Sequence, residues 1–229
     1  MLTNRKKATF VSVVIPALNE GKNIGRVIRE VKGILDGRKY EIVVVDGYST
    51  DNTVEISKKL GARIIYDEVG KGSALIKGLG SAKGDIVVSM DADLSNEPKE
   101  LELLISGVEI GFDVCMGSRF VTGGNSEDIS FIRVLGNRFF VHLVNVLFGS
   151  RYSDMCYGYR SFNRHAVRTL GLKETGFGIE TEISIKAIKH HLKTLEVPSV
   201  EKKRVAGDPK LRTFRDGYVI LRTILKNIG

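Results

Sequence analysis

The sequence predicts an α/β fold, a mainly parallel sheet with helices on both faces, and three observations carry that expectation. "VSVVIP" (11–16), "EIVVVD" (41–46) and "DIVVSM" (85–90) are near-continuous apolar, β-branched runs, the pattern of strands buried on both faces. Each run is followed by apolar residues at helical spacing, and strands that alternate with helices pair in parallel. Right-handed crossovers then bring every such strand to the same edge with its C-terminal end, where open α/β sheets bind ligands.

The elements follow in order. After the first strand, Ile24, Val27, Ile28, Val31, Ile34 and Leu35 fall three and four apart, marking one face of a helix. After the second, Asn52 with Glu55 three residues on reads as a capping box opening a helix toward Leu60. "RIIYD" (63–67) predicts a short third strand, with a helix from Lys71 to Ala82 behind it. The fourth strand and a helix from Pro98 to Gly107 close the regular part. Beyond residue 116 the alternation loosens, which suits a second half that builds an acceptor or partner site on the first. No repeat, low-complexity tract or Pro/Gly/Ser-rich linker suggests a boundary, so a single domain is expected over residues 1–229.

Composition narrows the class. With 229 residues and 42% hydrophobic content, the chain can bury a substantial core. No apolar run reaches the length of a spanning helix, and "MLTNRKKATFVSVVIP" lacks a cleavable signal pattern, so a cytoplasmic location is expected. Cys115 and Cys156 fit neither a disulfide framework nor a metal cluster. The net charge is +8, and residues 201–229 hold eight Lys or Arg against three acids. Such a basic end suits nucleic acid, anionic lipid or a phosphorylated substrate, or is simply solvated surface.

The chemistry concentrates where strands end. "DIVVSMDADLS" (85–95) runs from a buried strand into two carboxylates. On an extended chain residues i and i+2 point the same way, so Asp91 and Asp93 face one point while Ala92 faces away. Two hard oxygen ligands suit Mg²⁺ or Mn²⁺ with open positions for water and substrate phosphates, and a diphosphate leaving group is the natural third party. The competing reading is a helix cap, since Asp and Ser cap helices well. Asp46 ends the second strand, as a hydrogen-bond acceptor for a base or ribose or as turn chemistry. "GKGSALIKG" (70–78) puts Lys71 and glycines at a helix start suited to phosphate, or to plain loop packing, and matches no Walker pattern. Glu20 follows the first strand as a further site candidate or as first-turn helix charge. Together these residues describe a nucleotide site.

"VSVVIPALNE", "VVVDGYSTDNT", "GKGSALIKGL", "SMDADLSNEP" and "GSRFVTGG" resemble, in this order, family 2 glycosyltransferases of the GT-A fold. "RVLGNRFFVHLVNVLFGSRYSDMCYGYRSFNRHAV", "GFGIETEISIKAI" and "EVPSVEKKRVAGDPKL" resemble the second half of polyprenol-phosphate glycosyltransferases of the dolichol-phosphate mannose synthase type. The resemblance, which covers residues 11 to about 215, implies a Rossmann-like GT-A domain with a nucleotide-sugar half (11–116) and an acceptor half (117–212), and spacing and charge add a basic amphipathic C-terminal helix (213–229). It implies that Pro16, Leu18, Glu20 and Asp46 border the nucleotide and that Asp91, Asp93 and Ser95 hold the metal. Arg119, Arg133 and Arg204 would bind the acceptor phosphate and the transferred group, forming with Asp93 the catalytic set. Gly47 stands where many relatives carry a second Asp, Ser95 where some mannosyl members carry Gln, and "GDPKL" where "G-x-S-K-L" is usual.

The implied reaction is metal-dependent inverting transfer of a sugar from a nucleotide-diphosphate sugar to a polyprenyl phosphate. An anionic acceptor needs arginines more than a general base, and Arg119, Arg133, Arg160 and Arg204 offer bidentate geometry. A hydroxyl acceptor would need a carboxylate base, with Glu180, Glu182 or Asp154 as the places to look. Two other classes are weighed. "DADLS" also resembles the D-x-D of haloacid-dehalogenase phosphatases, but that motif ends the first strand and this one ends the fourth. A nucleic-acid-binding module has only the charge in its favour, so no nucleic-acid partner is expected. At the C-terminus, Phe214, Tyr218, Leu221, Leu225 and Ile228 form one apolar stripe with Arg215, Arg222 and Lys226 off it. The stripe packs on the core, or it rests peripherally on an anionic membrane at the cytoplasmic face.

Overall fold

In the computed structural model of the chain, the described residues are 9–203 and 213–228. The first half forms as the periodicity predicts: β1 (Phe10–Ala17), α1 (Ile24–Ile34), β2 (Lys39–Asp46), α2 (Thr53–Lys59), β3 (Arg63–Tyr66), α3 (Lys71–Ser81) and β4 (Ile86–Ser89). A 3-10 turn at Pro98–Glu100 then leads into α4 (Leu101–Glu109). The second half adds β5 (Val114–Ser118), β6 (Asn125–Ser126), α5 (Phe131–Phe148), β7 (Arg160–Asn163), α6 (Arg164–Thr169), α7 (Ile179–Lys189), β8 (Thr194–Pro198), β9 (Val200–Glu201) and α8 (Thr213–Lys226).

Seven strands make one sheet in the order β3-β2-β1-β4-β7-β5-β8, and β6 pairs with β9 in a two-stranded ribbon. All neighbours in the large sheet are parallel except β7, which runs antiparallel to both β4 and β5. Alternate strand residues feed the two cores. Val11, Val13, Ile15, Ile42, Val44, Ile86 and Val88 pack beneath α1 and α4, while Val14, Val43, Val45 and Val87 pack on the face covered by α3, α5, α6, α7 and α8. Burying each of these aliphatic side chains contributes about 1.5–3 kcal/mol, which is why the runs contain no polar alternation.

Two local expectations are corrected. Asn52 makes no side-chain cap; its neighbour Asp51 accepts from the Thr53 amide at 2.9 Å and the Gly21 amide at 2.9 Å, and Glu55 instead meets Lys59 at 2.7 Å. The carboxylates of the D-x-D do not ride on an extended strand either. β4 ends at Ser89, and the chain bends through residues 92–94, with Leu94 left-handed at φ 65°.

The register defines the functional edge. Ala17, Asp46 and Tyr66 are aligned at the ends of β1, β2 and β3, and Ser118 aligns with Pro198 at the ends of β5 and β8. Because β7 runs the other way, its first residue, Arg160, lies opposite Ser89 and Met116 at this same edge. Residues 155–159 therefore arrive from the second half beside the D-x-D segment of the first.

Candidate active site

A cavity of about 460 Å³ opens at this edge. The β1 exit supplies Pro16, Leu18 and Glu20, the α3 start supplies Lys71, and the β4 exit supplies Asp91, Asp93 and Ser95. The second half supplies Arg119, the first turn of α5 with Arg133, the Gly158 backbone and Glu180 at the start of α7. Sequence reasoning thus placed most of its candidates around one space. Arg204 lies outside the described residues.

Local bonds fix the β1 exit. Asn19, left-handed at φ 54°, accepts from the Thr50 amide at 2.8 Å, and its own amide donates to Ser49 Oγ at 2.8 Å. Glu20 is nearly buried; its amide donates to Thr53 Oγ1 at 2.8 Å and its Oε2 accepts from Asn23 Nδ2 at 2.8 Å. Asp46 is a correction. It is fully buried, does not line the cavity, and spends its carboxylate on the Ser49 amide at 2.9 Å and Ser49 Oγ at 2.5 Å. It holds the loop after β2 as turn chemistry does.

At the β3 end the cavity is lined instead by Asp67 and Glu68, just past the strand. Asp67 accepts from Ser73 Oγ at 2.9 Å and from the Val69 amide at 3.2 Å. The rule that singled out Asp46, a carboxylate at the end of a parallel strand, applies equally to "RIIYD" and would have found Asp67.

Asp91 and Asp93 reach the cavity through the bend. Asn96 Oδ1 accepts from the Asp91 amide at 2.7 Å, and Asp93 Oδ1 accepts from the Ser95 amide at 3.0 Å, so the segment is braced from within. Ala92 does not face away: it is buried against the core and also lines the cavity. Lys71 Nζ lies 3.0 Å from Asp91 Oδ1 and 3.0 Å from Glu180 Oε1. Burial works against the Lys71 charge, but the pull of Asp91 and Glu180 outweighs it and holds the ammonium above its ordinary range. Burial, aided by the nearby Asp93 and Glu180 carboxylates, pushes the Asp91 carboxyl up against the pull of Lys71.

The arginines divide into two roles. Arg119 is gripped by Asp154, with Nε to Oδ2 at 2.7 Å and Nη2 to Oδ1 at 3.0 Å, and by Glu201 at 3.0 Å, with its guanidinium 5.1 Å from the Tyr157 ring centroid. It lines the cavity as a preorganised cation, its rotamer locked before any anion arrives. Arg160 is a correction. It is 1% exposed and donates to the carbonyls of Tyr157 at 3.0 Å, Met155 at 2.9 Å and Glu180 at 3.0 Å, and to Ser184 Oγ at 3.0 Å. It is a strut that ties residues 155–157 to α7, with no reach to an acceptor.

The candidate bases are sorted in the same way. Asp154 is buried and committed to Arg119. Glu182 turns from the cavity to Lys186 at 2.8 Å and to the Lys173 and Glu174 amides. Glu180 alone of the three lines the cavity. Burial, with Asp154 nearby, pushes the cavity-lining Cys156 thiol up to about 12, so it stays protonated at neutral pH and supplies no thiolate nucleophile.

The donor set fits a hard divalent cation. Two carboxylates and a serine from one braced segment line the same cavity, and among the described residues no group of three or more His, Cys, Asp or Glu could hold a metal ion. A site of two carboxylates leaves the remaining positions for water and substrate phosphates, as Mg²⁺ prefers.

A sheet of this topology with a D-x-D at its C-terminal edge has the GT-A architecture. Residues 12–171 match the model of Glycosyl transferase family 2. The chain is 32% identical over 217 residues to the dolichyl-phosphate hexose transferase of Haloferax volcanii, covering 94% of this chain and 92% of that protein. The chain belongs to glycosyl transferase family 2. It is also 35% identical over 210 residues to the dolichol-phosphate mannosyltransferase of Pyrococcus furiosus, covering 88% of this chain but only 59% of that relative. Among solved structures, glucosyl-3-phosphoglycerate synthase from Mycobacterium tuberculosis shares the fold with a TM-score of 0.77 at 24% identity, over 96% of this chain and 80% of that one.

Arg160→Met strands three buried carbonyls and a hydroxyl, so urea unfolding should show a loss of at least about 3 kcal/mol. Unchanged stability with weakened acceptor binding would instead return Arg160 to the list of ligands.

Proposed function

We propose that this chain transfers a sugar from a nucleotide-diphosphate sugar to a polyprenyl phosphate, with Mg²⁺ or Mn²⁺ held by Asp91, Asp93 and Ser95. The observation that carries the reading is the shared cavity: the D-x-D carboxylates and Lys71 meet a wall of Ile129, Ile132 and Phe140 together with Arg119 and Arg133. Relatives support it by their names, including the undecaprenyl-phosphate 4-deoxy-4-formamido-L-arabinose transferase of Edwardsiella ictaluri, 29% identical over 220 residues. The structural neighbour from Mycobacterium tuberculosis was crystallised with Mn²⁺ and uridine diphosphate, which supports a divalent metal beside a nucleoside diphosphate.

Asp91, Asp93 and Ser95 would hold the metal, which would supply charge neutralisation to the leaving diphosphate. Pro16, Leu18, Glu20, Asp67 and Glu68 border the nucleotide, and Lys71 offers a cation on the donor side. Arg119, locked by Asp154 and Glu201, and Arg133, on the first turn of α5, receive the acceptor phosphate. That phosphate is already ionised, so alignment at the sugar's C1 matters more than deprotonation. A hydroxyl acceptor would have to use Glu180, whose side chain is instead tied to Lys71.

The surface around the acceptor side suits a lipid. α5 leaves Phe131, Ile132, Leu135, Phe139 and Val146 exposed, with Phe131 at 81%. α8 packs against it through Gly217 near Phe140 and turns Ile224, Thr223 and Asp216 inward. Within the stripe foreseen on α8, Tyr218, Leu225 and Ile228 point into solvent, so these residues are not core; the Phe214 side chain lies outside the described residues. α5 is long and apolar enough to cross a bilayer by composition, but Asn137, Val141 and Val144 dock it on the protein. The two helices would rest peripherally on an anionic membrane, with Arg215 and Arg222 contributing about 1 kcal/mol each at low salt, while Lys226 is engaged by Glu174 at 3.2 Å.

In vesicles containing polyprenyl phosphate, a nucleotide sugar and Mn²⁺, the protein should glycosylate the lipid. Asp93→Ala should reduce transfer by at least about 100-fold without lowering the melting temperature, and EDTA should abolish it. Full activity in EDTA, or transfer only to hydroxyl acceptors, would overturn the proposal.

The membrane contact is checked separately by co-sedimentation. Binding to anionic liposomes should be strong at low salt and fall as salt rises, and indifference to such liposomes at low ionic strength would remove the membrane role from α5 and α8.

A further inference from the structure

Lys71 occupies an unusual place for a residue at a phosphate-type helix start. Its ammonium lies 3.0 Å from Asp91 and 3.0 Å from Glu180, so a carboxylate of the first half and one of the second share a single half-buried cation. The floor beneath them is Gly158, where a Cβ would lie 3.3 Å from Glu180 Oε1, 3.5 Å from Lys71 Nζ and 3.6 Å from Asp91 Oδ2. The lysine cannot simply back away with its helix. Gly70 and Gly72 are pressed against residues 174–176, where a Cβ on Gly72 would meet Glu174 O at 2.4 Å, and the Ser73 amide donates to Thr175 O at 3.1 Å.

Asp91 is therefore neutralised by a protein cation at the carboxylate assigned to the metal. A divalent ion drawn to the Asp91 carboxylate would compete with this ammonium for it, because two cations beside one carboxylate repel each other. Resting on the metal assignment made above, we infer that Lys71 is the resident counter-cation of Asp91 that the metal displaces, and that Glu180 is the positioning residue that retains the displaced ammonium beside the donor diphosphate. Metal loading then frees a lysine for the diphosphate at the moment the metal arrives, which couples the two binding events.

Manganese binding to the full chain without nucleotide, read by the electron paramagnetic resonance of free Mn²⁺, tests this. Lys71→Met, verified as folded by its circular dichroism melt, should bind Mn²⁺ at least about tenfold more tightly than the unmodified protein, because the competitor is gone. Glu180→Gln should weaken Mn²⁺ binding in the unmodified background, since Lys71 is then held by Asp91 alone. In the Lys71→Met background the same change should have little effect, because Glu180 acts through the lysine. Equal or weaker Mn²⁺ binding by Lys71→Met, or an equal effect of Glu180→Gln in both backgrounds, overturns the exchange. Should Lys71→Met not fold, Glu180→Gln decides alone: unchanged or tighter Mn²⁺ binding contradicts the proposal. Asp91→Asn separates the two levels. Its loss of Mn²⁺ binding keeps the metal assignment intact whatever the other variants do, whereas unaltered binding removes the assignment and the exchange together.

Discussion

Burying carboxylates at the end of an apolar strand is costly unless a cation joins them, and the site is organised around that constraint. β4 is central, flanked by β1 and β7, so the chain leaving it has little access to bulk water. Asp93 is nearly buried there and Asp91 only partly exposed. Charge balance must come from the protein or from a ligand, and the protein contributes Lys71 from the adjacent α3. The second half then closes the arrangement: Arg160 pins residues 155–157 to α7, and α7 delivers Glu180 to the same lysine.

The proposed acceptor side obeys a related rule. Arg119 can remain charged in a buried setting because Asp154 grips it bidentately and Glu201 holds it from the far side; the pull of these carboxylates outweighs the burial that opposes its charge. A cation held this way loses little conformational freedom on meeting an anion, and its planar fork matches a phosphate. The apolar wall around it comes from α5 and α8, whose outer rows remain in solvent. The proposed acceptor, a phosphate carried on an isoprenoid, would satisfy both surfaces at once, which a small hydroxyl acceptor would not.

The first half was legible because its signals are local. Continuous β-branched runs followed by helical spacing identify buried parallel strands, and parallel strands put their ends together, so the edge carrying the D-x-D follows without any long-range information. The insertion of β7 between β4 and β5 was not legible. "RSFN" is short and mixed in character, and its pairing depends on partners dozens of residues away. Side-chain direction was equally hidden. Asp46 ends β2 and Asp67 directly follows β3, yet one braces a loop and the other lines the cavity. Arg119 and Arg160 both precede apolar or small residues in the second half, and only tertiary packing decides which is a cavity cation and which a strut. The outward turn of the stripe on α8 was open for the same reason, since a helix with Ile220 and Ile224 on a second face has two apolar sides to choose between.

The central claim is that the D-x-D segment, bent rather than extended, is where a divalent metal and a nucleoside diphosphate meet. Crystals grown with Mn²⁺ and a nucleoside diphosphate would test it through anomalous scattering at the manganese edge. One peak within about 2.0–2.3 Å of oxygens of Asp91 and Asp93, bridged to the diphosphate, is the predicted result. A diphosphate bound in the cavity with the anomalous peak away from both aspartates, or with no ordered metal at all, would contradict it.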